Sequence, residues 1–79
     1  MATVRFFAAA AEAAATESTT LDAATIGDIR IRLGERFGTD FAAVFARCSL
    51  LVNGARAGSD AVSIGADDTV DVLPPFAGG

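Results

Sequence analysis

The chain has 79 residues, 52% of them hydrophobic, with six arginines, no lysine, no histidine, ten acidic side chains and a formal net charge of -4 at pH 7. That length makes one domain with one core, that hydrophobic content excludes disorder, and no apolar run approaches the roughly 18 residues of a membrane span. The acidic balance speaks against nucleic acid, whose affinity rests on neutralised phosphates, and suits a basic protein partner.

Thr3 to Ala8 reads as the first strand, with Val4, Phe6 and Ala8 on one face and Thr3, Arg5 and Phe7 on the other. Arg5 selects the solvent face and takes Phe7 with it, because side chains alternate with period two. Ala9 to Ala15 has high helix propensity but no broad face of large residues, which predicts a connector of one or two turns. Glu17 to Leu21, with its β-branched threonines, reads as an edge strand beside the first.

Thr25, followed three residues later by Asp28, predicts the start of the main helix through a capping box. Ile26, Ile29, Leu33 and Phe37 form one buried stripe, and Gly38 supplies a left-handed stop. Asp40 to Arg47 is a second short amphipathic segment whose Phe41, Val44 and Phe45 cap the core. Ser49 to Val52 is a strand that turns at Asn53-Gly54 into a short return around Arg56 and Ala57. Val62 and Ile64 dip inward, Gly65 to Asp68 turns the chain, and Thr69 to Leu73 is a last strand with Val70 and Val72 facing the core. These elements predict an α+β domain over residues 1–73, a five-stranded sheet packed on one main helix, followed by a tail at 74–79.

The remaining chemistry is sparse. Without histidine there is no ordinary catalytic triad and no imidazole-based zinc site. Cys48 reads as a buried small hydrophobe, and one cysteine supplies no disulfide framework. Together with an N-terminus unlike a secretory signal, this predicts a cytoplasmic protein. Asp67-Asp68 belongs to a turn and has no third metal ligand at useful spacing.

The tail is different. Pro74-Pro75 fixes an extended exit path, and Phe76, Ala77, Gly78 and Gly79 shrink toward a free carboxylate. Fully extended, these six residues reach roughly 20 Å. Terminal glycines lack a Cβ and pass channels too narrow for a side chain. A frayed end or a cloning scar would look the same; read as functional, the tail makes the carboxylate of Gly79 the group expected to do chemistry.

A last strand running into Pro-Pro-Phe-Ala-Gly-Gly, together with Val4-Arg5-Phe6-Phe7-Ala8 at the start, resembles the ubiquitin-like sulfur carriers, in particular the molybdopterin synthase small subunits. The resemblance implies a ubiquitin-like β-grasp with a mixed sheet, its first and last strands parallel at the centre. It implies a carrier without catalytic side chains of its own. By the same resemblance, a ubiquitin-activating-type enzyme would consume ATP to adenylate Gly79, a sulfurtransferase would supply persulfide sulfur, and the resulting thiocarboxylate would enter the large synthase subunit, in a heterotetramer, to sulfurate a cyclic pyranopterin monophosphate. No cofactor is implied to be bound.

Phe76 and Ala77 would line the channel entrance, Gly78 would give clearance, and Pro74-Pro75 would limit the entropy of insertion. Parallel pairing would set Arg5 beside Asp71 as a cross-strand ion pair, worth well under about 1 kcal/mol if exposed, and Phe7 beside Leu73, with Leu51 extending them into a docking patch. The residues matching Phe7 and Leu73 contact the large subunit in the family. Arg56 departs from it, since an apolar contact residue is common there. Carriers for thiazole, cysteine or thiolated-nucleoside synthesis, a protein modifier and a pure interaction module are alternative readings; the absence of lysine speaks against chains of linked copies.

Overall fold

The computed structural model describes residues 1–75. Strand β1 (Ala2–Phe6) buries Ala2, Val4 and Phe6 and turns Arg5 to solvent, as period-two alternation requires. It ends two residues earlier than its pattern predicts because Ala8 takes φ 51° and ψ -125°. With Ala10 N donating to Phe7 O at 3.1 Å, those dihedrals make Phe7 to Ala10 a type II′ turn. Alanine holds the position where glycine is favoured. Replacing Ala8 with Gly should remove about 1–3 kcal/mol of backbone strain against roughly 0.5–1 kcal/mol of added chain entropy. The expected outcome in urea titration is a net gain near 1 kcal/mol; a loss would show that this φ is not adopted in solution.

Helix α1 (Ala9–Ala14) is more than a connector, since Ala10 and Ala14, one turn apart, are buried as α1 packs on the main helix. Methyl side chains allow that close approach. Strand β2 (Ser18–Leu21) pairs antiparallel with β1, with Thr20 opposite Thr3 and Ser18 opposite Arg5. Arg36 reaches this edge strand, donating to Thr19 Oγ1 at 2.6 Å and Thr20 O at 3.3 Å.

Helix α2 (Ile26–Phe45) opens on the predicted cap: Asp28 N donates to Thr25 Oγ1, and Asp28 Oδ2 accepts from Ala24 N. The two predicted helical segments form one span interrupted at Gly38, whose φ of 83° and ψ of -168° break the helical path. Ile26, Ile29 and Leu33 are buried before the break and Phe41 and Phe45 after it. Residues repeating every fourth position drift about 40° per step around a helix of 3.6 residues per turn, and the break returns the second half to the core. Phe6 meets Phe37 and Phe41 edge-on at 5.4 and 5.6 Å between ring centroids, and Phe41 stacks on Phe45 at 5.2 Å. Edge-to-face and offset contacts suit the ring quadrupoles.

Strand β3 (Ser49–Val52) turns through Asn53 and Gly54, at φ 50° and 87°, into β4 (Ala55–Arg56). Both positive φ values are those of a two-residue type I′ hairpin. Ile64 is buried and Val62 half-buried, and Asp68 N closes the following turn on Gly65 O. Strand β5 (Thr69–Leu73) then runs parallel to β1 and antiparallel to β3, giving the order β2-β1-β5-β3-β4. Val4, Phe6, Val70 and Val72 meet the helical layer. This mixed sheet, with first and last strands parallel inside it, is the ubiquitin-like β-grasp. Among the described residues no helix is long and apolar enough to cross a membrane.

Candidate functional site

The sheet face away from the helices is assembled row by row by strand register. One row reads Ser18, Arg5, Asp71, Leu51 and Arg56 across all five strands. Extending the β1–β5 register by one residue places Phe7 opposite Leu73, and Phe7 N continues the ladder by donating to Val72 O at 3.2 Å. On its other side Leu73 faces Ser49. Leu51 therefore lies diagonal to Leu73, a relation that spans about 7–8 Å in a sheet. The apolar patch is stepped and broken by Ser49. Phe7 is 39% exposed, Leu73 and Leu51 are half-buried, and Arg56 sits exposed directly opposite Leu51.

The cross-strand Arg5–Asp71 pair forms as expected, with Arg5 exposed and Asp71 largely buried. Arg5 Nε and Nη2 donate to the two carboxylate oxygens at 2.6 and 2.8 Å, a bidentate clamp, and Asp71 is only 9% exposed. The hydrogen bond to Asp71, then its negative charge, raises the Arg5 pKa further above its ordinary value. The same guanidinium lies 5.7 Å from the centroid of the Phe7 ring. Alternation puts Arg5 and Phe7 on one face but does not disclose this contact.

Past Leu73 the chain leaves the sheet through half-buried Pro74 and exposed Pro75. Both line a shallow groove with Ala9, Ala43, Val44 and Arg47, so the root of the tail crosses from the sheet to the end of α2. Phe76, Ala77, Gly78 and Gly79, the residues singled out for the tail's chemistry, lie outside the described residues.

Other reactive groups are occupied locally. Cys48 is half-buried rather than buried, its thiol donates to Val44 O, and burial pushes its pKa up, away from the thiolate a nucleophile requires. Asp68 accepts from Gly65 N at 2.7 Å and from Asn53 Nδ2 at 2.9 Å, and these bonds, the backbone one first, hold its pKa below the usual carboxylate value. A turn accounts for this acid. Among the described residues no group of three or more potential ligands could hold a metal ion.

Comparison with known proteins adds to this geometry. The family model described as the ThiS family matches residues 4–79. SAMP1 from Haloferax volcanii is 26% identical with a TM-score of 0.83, the match covering 99% of this chain and 98% of that one. Two solved complexes show the fold alone. The complex of subunits 1 and 2 of the molybdopterin-converting factor from Helicobacter pylori matches at 22% identity and TM-score 0.77, over 99% of this chain and 97% of that one. The BexX/CysO complex from Amycolatopsis orientalis matches at 20% identity and TM-score 0.82 over the whole of both chains. No curated protein matches the chain.

Proposed function

The chain belongs to the ThiS family of ubiquitin-like sulfur carriers, and from that premise we propose that it is the small, sulfur-carrying subunit of a molybdopterin synthase. The observation that carries this reading is the course of β5. It runs inside the sheet, ends at Leu73 beside exposed Phe7 and issues directly into Pro74-Pro75, a course that would join the tail to the docking face proposed here.

The chemistry follows from the weakness of a carboxylate as an acylating agent. In a partner adenylating enzyme, a Gly79 carboxylate oxygen attacks the α-phosphorus of ATP, pyrophosphate departs, and an acyl-AMP anhydride forms. Persulfide sulfur from a sulfurtransferase attacks the acyl carbon and expels AMP; reductive cleavage of the sulfur–sulfur bond by a thiol leaves a thiocarboxylate. One difficult substitution becomes two easier ones. The thiocarboxylate sulfur then attacks the cyclic pyranopterin monophosphate in the large subunit, which supplies the catalytic side chains; water cleaves the resulting acyl–sulfur bond, leaving the sulfur on the precursor and restoring the Gly79 carboxylate. This chain contributes the acyl terminus, narrow Gly78, and Pro74-Pro75 to limit the entropy of insertion. It holds no cofactor, and we place it in the cytoplasm with its partners.

Incubation with the adenylating enzyme, ATP and a sulfur donor should replace one oxygen by sulfur in the intact mass. The loaded chain should then form molybdopterin with the large subunit. Loading without transfer to that precursor, but with transfer to a thiazole, cysteine or nucleoside precursor, would reassign the pathway. Similarity to SAMP1, a small archaeal modifier protein, favours a second reading in which Gly79 is joined to lysines of other proteins. Mass spectrometry for lysines carrying residues 57–79 of this chain, the remnant that cleavage after Arg56 leaves, tests it.

Phe7 is the aromatic anchor of the proposed docking face. Replacing Phe7 with Ala should weaken association with the large subunit by more than about 1 kcal/mol in calorimetry. Unchanged affinity would remove this face from the interface.

A further inference from the structure

Arg5 occupies a place that neither a solvated charge nor a simple strand tie explains. Its forked guanidinium grips both oxygens of Asp71 on the strand that leads to the tail. The same group stands over Phe7, two residues along its own strand. The clamp orients the cation through Nε and Nη2, and the oriented cation gives the exposed ring a face to lie against. Phe7 itself follows the last residue of β1, and although its backbone is held on both sides, N–H donating to Val72 O and C=O accepting from Ala10 N, its ring stays exposed on the open face.

We propose that Arg5 is a positioning residue for partner docking: fixed by Asp71, it holds the Phe7 ring in its binding orientation before the partner arrives. This rests on the reading of the open sheet face as the docking surface. The free chain thereby loses part of the rotamer entropy that an unsupported Phe7 would surrender on binding. Arg5 acts through Phe7. Its removal should therefore matter only while the phenyl ring is present.

A double-mutant cycle reads that dependence directly. Removing Arg5 alone strands a largely buried carboxylate, so the cycle replaces both partners with apolar groups, Arg5→Met with Asp71→Leu, in the native and Phe7→Ala backgrounds. Calorimetry with the large synthase subunit should show the apolar replacement weakening association about three- to fivefold when Phe7 is present and less than twofold when it is absent. Equal losses in both backgrounds, with Phe7→Ala itself harmful, would overturn the positioning role and leave the docking face standing. Loss of no affinity on Phe7→Ala would overturn the docking face and this role with it. A partner-free measurement completes the test. In the free chain the Phe7 ring current should move the Arg5 δ-methylene protons upfield relative to the Phe7→Ala chain, and identical shifts in the two would show that the stacking does not occur.

Discussion

Removing Gly79 should abolish sulfur transfer while leaving the folded domain intact. Truncation moves the terminal carboxylate back by about 3.3 to 3.6 Å along an extended chain. Misplacement by about 1 Å at a reacting centre can cost 100-fold, so loading by the adenylating enzyme should fall by at least about 100-fold and product formation with it. The domain should not register the loss. The buried core ends at Val72, and exposure rises through Leu73 and Pro74 to Pro75. Thermal unfolding of native and truncated chains should coincide, while intact mass after ATP and sulfur donor shows the oxygen-to-sulfur exchange only in the native chain. Full activity from the truncated chain would end the carrier reading. A drop in melting temperature would instead show that the terminus packs on its own domain.

Replacing Phe41 with Ala should have the largest effect on stability. Phe41 is fully buried, touches the rings of Phe6, Phe37 and Phe45, and ties the part of α2 beyond Gly38 to the sheet. Truncation of a buried phenylalanine costs about 3 to 5 kcal/mol in transfer and cavity energy. Against the roughly 5 to 15 kcal/mol that small domains possess, this removes much of the total. Urea unfolding should show a lower midpoint with an unchanged slope, as expected when stability alone changes. A loss below about 1 kcal/mol would mean that the segment after Gly38 can leave the core at little cost.

The sequence by itself determined the features that local periodicity encodes. Val4 and Phe6, and Val70 and Val72, announce strands through alternation. Ile26, Ile29 and Leu33 announce the helix, Thr25 its cap and Asn53-Gly54 the hairpin, because each depends on neighbours within a few positions. The glycine-terminated tail is a feature of the sequence, and Phe76 to Gly79 lie outside the described residues.

The resemblance to a known family already set Arg5 beside Asp71 and Phe7 beside Leu73; tertiary structure decided the finer composition of the open face. Arg5 and Asp71 are 66 positions apart, and only the parallel register of β1 and β5 makes them a half-buried clamp with Phe7 beside it. The antiparallel register of β3 sets Ser49, not Leu51, opposite Leu73, so the apolar patch is stepped. Ala8 turns the chain without glycine, and Ala10 and Ala14 gain a packing role only when α2 lies against them. For the clamp, the stepped patch and the Ala10 and Ala14 packing the physical reason is common: each side chain's partner is chosen by a strand or helix brought near by burial of the shared core, and no local pattern records the contact geometry that results.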